Sequence, residues 1–197
     1  MWVSDAPLSG PRVWGVTEIA ERYSRIAEGF GARVVGIDDD DWAAPTLCSE
    51  WTVRDLVGHV VAVHRHVVAG LDASSPPPPV RDADLVGAWD SATAAVHAAL
   101  ADPERAAAPV AGRFAPMPLE QMIGRLLCSD TIVHTFDLAR ATGQDEHLDA
   151  AGVTYAFAML LPADEAIRGP GSFGPKVEPP TGANEQTRFL CFLGRPA

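Results

Sequence analysis

The stretch LEQMIGRLLCSDTIVHTFDLARATG, residues 119–143, decides the fold of this chain. Apolar residues recur along it at helical spacing and predict one helix with a stripe that faces a hydrophobic core: Leu119, Ile123, Leu126, Val133 and Ala141. Pro118 stands before the first turn, Arg140 lies in the last turn and Gly143 follows it. These residue types favour the start and the end of a helix, so the bounds of this helix are predicted as well.

Three polar residues interrupt this apolar stripe, namely Asp130, His134 and Asp137. Asp130 and His134 are four residues apart, so their Cβ atoms lie about 5–6 Å apart on one face of the helix. A carboxylate and an imidazole that face a core are costly to bury without partners. Two interpretations follow: a metal ion that both residues bind, or a buried hydrogen-bonded pair without metal.

The composition limits the kind of protein. The chain has 197 residues, enough for a domain with a substantial core, and 47% of them are hydrophobic, as in a globular protein. Its net charge of −11, without a dense basic cluster, argues against nucleic acid and against an anionic membrane surface as partners. We find no signal peptide, no apolar run of about 18 residues and no CxxC pair among Cys48, Cys128 and Cys191, so we expect a cytoplasmic protein with reduced thiols.

Helical spacing continues outside the opening stretch. It predicts a first helix over 16–34, a second that begins with a capping box at Thr52, a third over 85–100, a buried fifth over 148–161 and a short terminal helix over 185–193. Residues 103–118 are predicted to form a loop, and no segment has the pattern of a strand. We therefore expect an all-α domain over residues 1–197. We expect residues 1–15 to form an irregular lead-in, and residues 166–197 to form an extended Gly/Pro-rich segment with the terminal helix.

The second helix adds a further candidate ligand, His59, at the margin of its apolar stripe. With Asp130 and His134 it makes a set of two imidazoles and one carboxylate, which suits Zn²⁺, Ni²⁺ or Fe²⁺ and leaves positions open for water or substrate. Helix bundles commonly build metal sites from facing helices in this way. His64 and His66 fall on other flanks of the helix, which the pattern leaves open to solvent.

Two segments resemble the paired signatures of the DinB-like metal-binding bundles of mycothiol-producing bacteria: PTLCSEWTVRDLVGHVV (45–61) and DTIVHTFDLARATG (130–143). This group is related to the metal-binding domain of mycothiol-dependent maleylpyruvate isomerase. The segments FGPKVEPP and RFLCFLGRPA resemble the tail of small uncharacterised members. The resemblance implies a four-helix bundle whose metal ion is held by one histidine of the second helix and an acid–xxx–histidine of the fourth, here His59, Asp130 and His134.

Two departures from that pattern limit what the resemblance implies. The isomerase has Glu at the place of Asp130, and an Asp side chain is one methylene shorter. We also expect this chain to be too short to contain the isomerase's separate C-terminal domain. For that reason maleylpyruvate is not inferred as the substrate. The resemblance therefore supports a metal site in this chain more strongly than it supports the isomerase reaction.

Three functions are compatible with the sequence. The first is a transferase or isomerase in which zinc, with nickel or iron as alternatives, activates a low-molecular-weight thiol for attack on an electrophilic small molecule, and the resemblance implies mycothiol as that thiol. Asp137 would then orient His134 or an arginine, or would pair with a neighbouring helix, and Cys48 would approach the site or be an inert buried thiol. The second is a non-catalytic, metal-stabilised binding or regulatory module, and the third a metal-free cluster of the same three residues. The sequence leaves the oligomeric state open, a homodimer included.

Overall fold

The computed structural model describes residues 15–48, 51–70, 78–81, 83–111, 116–168 and 173–196, and the lead-in predicted before Gly15 lies outside these ranges. The helices are α1 (Val16–Val35), α2 (Val53–Val68), α3 (Leu85–Ala101), α4 (Pro103–Ala107), α5 (Leu119–Met122), α6 (Cys128–Thr142), α7 (Ala150–Leu160) and α8 (Glu185–Phe192). A π-helical turn, Ile123–Leu127, joins α5 to α6, and 3₁₀ turns occupy Asp39–Ala43 and Leu161–Ala163.

Four long helical segments form a bundle, and this confirms the all-α prediction. α1 packs against α3 and α6, and α2 packs against the same two helices from the other side. The apolar stripe of α1 is almost completely buried in this core: Ile19, Tyr23, Ile26, Phe30 and Val34. Burial of such a stripe is what stabilises a helix that would be marginal alone, since each large apolar side chain contributes about 1.5–3 kcal/mol.

The opening stretch of the sequence forms one continuous rod that contains a π-helical turn, Ile123–Leu127. The wider turn changes the angular spacing of the side chains along the rod, and Leu126 of the predicted stripe, which lies in this turn, is only half-buried. Gly124 in this turn lies under α7, where an added Cβ would approach the Tyr155 hydroxyl to 3.2 Å. The rod ends at Gly143, in the left-handed conformation at φ 65° that the C-cap prediction requires.

The prediction that residues 103–118 form a loop without sheet was wrong in part. The short helix α4 starts at Pro103, and Asp102 caps it by accepting hydrogen bonds from the backbone amides of Glu104 and Arg105 at 3.0 and 3.2 Å. Two-residue strands, β1 (Pro109–Val110) and β2 (Met117–Pro118), then pair antiparallel. Strands this short carry no alternation, so their pairing could not be recognised, whereas Asp102 before Pro103 was a usable helix-start signal.

The fifth predicted helix corresponds to α7, but it is less buried than expected. Val153 and Ala156 are buried, whereas Phe157, Met159 and Leu160 are only half-buried. Helix α7 packs against α6 and α8, with the Phe157 ring 5.7 Å from that of Phe189, and its exposed face carries Ala151, Thr154 and Ala158. No helix within the described residues is long and apolar enough to cross a membrane.

Candidate metal centre

The first candidate ligand, His59, lies on α2, and contacts at the start of this helix and beside Gly58 hold that part of the helix in place. The predicted capping box is present, since Thr52 Oγ1 accepts from the Asp55 amide at 3.3 Å and Asp55 Oδ2 accepts from the Thr52 amide at 3.2 Å. Gly58 allows residues 78–81 to approach, and the Val80 amide donates to the Gly58 carbonyl at 3.0 Å. The helix start and its packing are thus fixed within a few residues of His59, whose side chain is buried.

Helix α6 brings the other two candidate ligands to the same place. Asp130 Oδ1 lies 3.5 Å from His134 Nε2 and 3.5 Å from His59 Nε2. One potential ligand atom from each of the three residues lies within 4.8 Å of the other two. The structure therefore brings together the three side chains that the sequence proposed as a set, with both imidazoles presenting the same ring nitrogen to one carboxylate oxygen.

The electrostatics of this cluster favour a cation between the three side chains. Burial by itself raises the pKa of the Asp130 carboxyl, but the His134 and His59 imidazoles outweigh it and hold that pKa far below its ordinary value. Burial disfavours the charged form of His134 too, yet the carboxylate of Asp130 raises the pKa of this imidazole well above its ordinary value. Without metal, a proton on His134 thus supplies the positive charge next to the Asp130 carboxylate. A metal ion would supply that charge in place of the proton, because metal binding requires a neutral imidazole.

The other oxygen of Asp130 provides a test of whether a metal fits. Oδ2 is buried and has no hydrogen-bond partner among the described residues. Buried carboxylate oxygens are almost always satisfied, so an unpartnered one indicates a missing partner such as an ion. The donor set of two imidazole nitrogens and one carboxylate oxygen is that of many catalytic zinc sites, and the three residues therefore fit a divalent transition metal.

The opposite edge of the His134 ring faces Asp137, which is completely buried. His134 Nδ1 lies 3.1 Å from Asp137 Oδ2. Arg195 completes the cluster, because its Nε donates to Oδ1 at 3.0 Å and its Nη2 donates to Oδ2 at 2.7 Å. Burial raises the pKa of Asp137, but the hydrogen bonds from His134 and Arg195 outweigh it and lower the pKa to about 2. Asp137 is therefore a carboxylate at neutral pH.

Cys48 also reaches this edge of the ring. Its Sγ lies 3.9 Å from His134 Nδ1 and 3.5 Å from Asp137 Oδ2, and these three atoms form a second geometric candidate for a metal group. A cation there would face the guanidinium of Arg195, which already occupies both oxygens of Asp137. The guanidinium would repel a cation bound beside it, so the Nε2 edge of His134 is the better place for a metal.

The loop that precedes α2 positions two side chains around the cluster. It is closed by the pairing of Pro45 with Thr52 and by the Thr46 amide, which donates to the Trp51 carbonyl at 3.0 Å. The Trp51 ring lies 4.6 Å from the His59 ring and 6.1 Å from the His134 ring, centroid to centroid. Trp51 thus packs against both candidate imidazole ligands and shields them from solvent.

His64 does not lie on the open flank of α2 that its spacing suggested. Its side chain is completely buried, because Tyr23 of α1 and Trp89 of α3 pack on it with centroid distances of 5.8 and 4.9 Å. His64 Nδ1 is 2.8 Å from the Val60 carbonyl oxygen, so Nδ1 is the protonated nitrogen. Burial lowers the pKa of His64 to about 4, and the ring is neutral at physiological pH.

Sequence reasoning missed Arg195 and Trp51 as members of this site. Arg195 is 58 positions away from its partner Asp137, and no local spacing relates the two. Trp51 carried a usable signal, since an aromatic residue directly before a helix cap often packs on that helix. Cys48 was considered for the site, and the structure brings it there.

Comparisons with known proteins agree with this architecture. Residues 23–139 match the mycothiol maleylpyruvate isomerase N-terminal domain family. An uncharacterised protein of Mycobacterium tuberculosis is 35% identical over 177 residues, which are 88% of this chain and 95% of that protein, in both strain CDC 1551 / Oshkosh and strain ATCC 25618 / H37Rv. The crystal structure of a mycothiol-dependent maleylpyruvate isomerase superposes with a TM-score of 0.55 at 12% identity, covering 79% of this chain and 70% of that one.

Proposed function

This chain belongs to the mycothiol maleylpyruvate isomerase N-terminal domain family, and from that premise we propose that it is a metalloenzyme that uses a low-molecular-weight thiol. His59, Asp130 and His134 bind one divalent transition metal, zinc before nickel or iron. Mycothiol is the first candidate for the thiol, since the name of the family and that of the similar crystal structure both contain it. The reaction is transfer of the thiol to an electrophile, or an isomerisation that proceeds through such an adduct, in the cytoplasm.

The convergence of three ligand atoms carries this proposal. Asp130 Oδ1 lies at equal distances of 3.5 Å from the Nε2 atoms of His59 and His134, and Asp130 Oδ2 is buried without a partner. A metal-free hydrogen-bonded cluster accounts less well for that oxygen. Because the chain supplies only three ligands, a tetrahedral or five-coordinate ion would keep positions for a thiol.

The residues around the ligands prepare the site for thiol chemistry. A divalent ion lowers the pKa of a coordinated thiol and so increases the fraction of thiolate near neutral pH. Asp137 accepts a hydrogen bond from Nδ1–H of His134 and so keeps the proton on Nδ1, which leaves the Nε2 lone pair free for a metal. Trp51 covers both imidazoles and limits access of water.

Asp130 is where this site differs from the isomerase pattern, which has Glu. The shorter side chain must reach the same point, and 3.5 Å from each Nε2 is close enough for a shared ion after small adjustments. A metal bound by one short carboxylate is expected to be held less tightly than one bound by Glu. The electrophilic substrate is not proposed, because 12% identity to the isomerase supports likeness of fold alone.

Thiol binding by the metal-loaded protein tests the proposal. Protein purified without a histidine tag is loaded with Zn²⁺ and titrated with mycothiol in a calorimeter. It is then incubated with mycothiol and a panel of electrophiles that includes an alkyl halide, an epoxide and maleylpyruvate. We expect binding and thiol consumption by zinc-loaded wild type and by His97→Ala, which alters an exposed histidine, and neither by His59→Ala.

Two results would contradict the proposal in different ways. Zinc binding without mycothiol binding or thiol transfer would favour a non-catalytic, metal-stabilised module. Absence of zinc, nickel and iron binding in folded wild-type protein would favour the metal-free hydrogen-bonded cluster.

A further inference from the structure

The tail of the chain returns to the candidate metal centre and places one side chain behind it. The tail consists of α8 and the residues that follow it up to Pro196. Gly194 adopts φ 79°, and its amide donates to the Cys191 carbonyl at 3.0 Å, so the backbone turns sharply after α8. A Cβ at this position would lie 2.7 Å from the Pro175 carbonyl oxygen. The turn therefore requires glycine and directs Arg195 inward.

Arg195 is held firmly on its own segment. Its amide donates to the Leu190 carbonyl at 2.9 Å, and its Nη1 donates to the Leu193 carbonyl at 3.0 Å. The guanidinium also lies 5.1 Å from the centre of the Phe173 ring. With Nη1 bound to its own backbone, Nε and Nη2 remain in the fork geometry that matches a carboxylate.

Asp137 receives this fork with both oxygens. Arg195 Nε donates to Oδ1 and Nη2 donates to Oδ2, and both partners are more than nine-tenths buried. Bidentate pairing fixes the plane of the carboxylate, whereas a single hydrogen bond would leave it free to rotate. The orientation of Oδ2 is therefore determined by Arg195.

Oδ2 is the same atom that faces His134 Nδ1 at 3.1 Å. An ionised carboxylate can only accept hydrogen bonds, so Nδ1 of His134 carries a proton and donates a hydrogen bond to Oδ2. In a neutral imidazole this leaves Nε2 as the lone-pair nitrogen, and Nε2 is the atom that lies 3.5 Å from Asp130 Oδ1. Arg195, Asp137 and His134 thus form one chain of contacts that ends at the candidate ligand atom.

We propose that Arg195 is a positioning residue that acts through Asp137 to hold the His134 imidazole in the tautomer and orientation that presents Nε2 to a metal ion. This inference rests on the proposed function for the metal itself and for the neutral tautomer that binds it, but not for the hydrogen bond from Nδ1–H to Asp137 or for the orientation of the His134 ring. It implies that docking of the tail and metal affinity are coupled. The tail is therefore part of the site, although it contributes no ligand.

Zinc affinity in a set of variants of the full chain measures this coupling. We expect Arg195→Met to weaken Zn²⁺ binding about 10- to 100-fold, the range seen when partners of metal-binding histidines are removed. Arg195→Lys should lie between Met and wild type, because lysine keeps the charge but not the bidentate geometry. Asp137→Asn should also weaken binding, and Arg195→Met added to it should cause no further loss. Arg188→Met, which removes an exposed arginine from the same tail, should bind like wild type.

A second measurement separates positioning of His134 from mere support of the fold. In metal-free, ¹⁵N-labelled protein the Nδ1 proton of His134 should give a signal protected from solvent exchange, in wild type, Arg188→Met and Arg195→Lys. Arg195→Met should lose this protection while the amides of the bundle core keep theirs. This signal does not depend on metal, so it tests the inference even if wild type binds no zinc, which would contradict the proposed function alone.

Two results would overturn the inference. The first is a folded Arg195→Met protein that keeps both the protected Nδ1 proton and wild-type zinc affinity. The second is an additive loss of affinity in the Asp137→Asn/Arg195→Met double variant, which would mean that Arg195 acts by another route. If Arg195→Met does not fold, Arg195→Lys decides the question, and unchanged zinc affinity in that variant contradicts the role of the bidentate pair.

Discussion

The imidazole rings of His59 and His134 lie 5.2 Å apart, centroid to centroid, with their planes at 82°. They belong to different helices, α2 and α6, which pack against each other in the bundle. The Nε2 atoms of both rings lie near the same carboxylate oxygen, Asp130 Oδ1, which is 3.5 Å from each of them. The packing of α2 against α6 thus adds His59 to the local pair of Asp130 and His134 and completes the candidate metal centre.

Removal of either imidazole should abolish metal binding. In His59→Ala or His134→Ala only two ligands remain, and two ligands do not hold a divalent ion well in competition with water. Asp130→Ala should weaken binding, whereas His64→Ala and His97→Ala should retain it, since neither His64 nor His97 belongs to the ligand group. Elemental analysis of untagged proteins, with circular dichroism to establish folding, measures this. Full metal occupancy in folded His59→Ala and His134→Ala proteins would contradict the assignment.

His64 should make the stability of the metal-free protein depend on pH. Its pKa is about 4 in the folded state, whereas an unfolded chain has the ordinary value of about 6.5. As the pH falls below 6.5 the unfolded state binds the proton first, so the free energy of unfolding decreases until the pH reaches about 4. The two pKa values correspond to a loss on the order of 3 kcal/mol.

Urea unfolding between pH 7 and pH 4 measures this effect against a matched variant, His64→Leu, which lacks the titrating group. The difference in unfolding free energy between wild type and His64→Leu should change in favour of the variant as the pH falls. Parallel pH profiles of the two proteins would show that His64 is not a buried neutral imidazole.

The three free cysteines should differ sharply in reactivity. Cys48 is half-buried, whereas Cys128 and Cys191 are buried, and burial raises the pKa of Cys128 to about 12. The thiolate is the reactive form, so a thiol reagent should modify only Cys48 in the native protein. Thiol counting should find one group before and three groups after denaturation. Rapid reaction of two or three thiols in folded protein would contradict the burial of Cys128 and Cys191.

Gly58→Ala should destabilise the protein although alanine is the better helix former. The added Cβ would lie 2.4 Å from the Val80 carbonyl oxygen, so residues 78–81 must move. Such overpacking costs about 1–3 kcal/mol. Gly29→Ala on α1 is the control, because the nearest atom to its Cβ would be 3.9 Å away, and it should stabilise by about 0.5–1 kcal/mol. Urea unfolding compares the two, and equal effects would contradict the tight contact at Val80.

Much of this fold follows from local pattern. The stripe of α1, the capping box at Thr52 and the glycine after α6 each depend on residues that are neighbours in the helix, and each is where the sequence predicted it. The pairing of Asp130 with His134 is equally local, since a spacing of four puts both on one face. His59 joined them in the prediction because facing helices share a core.

Other features depend on which elements become neighbours. His64 was left open to solvent by its helical position, but α1 and α3 both cover that flank of α2. The π-helical turn at Ile123–Leu127 has no signal in the apolar spacing, which predicted one regular helix through this stretch. The pairing of Asp137 with Arg195 joins residues 58 positions apart.

The amino-acid sequence by itself thus determined the long helices, several of their ends and the types of the candidate ligands, because hydrophobic periodicity and capping act within a few residues. Only the tertiary structure decided which polar groups are buried, which ring nitrogen of His134 faces Asp130 and what holds the other nitrogen. Those properties arise from contacts between elements that are distant along the chain. The free energy of such contacts depends on burial and orientation, and neither quantity is encoded in local spacing.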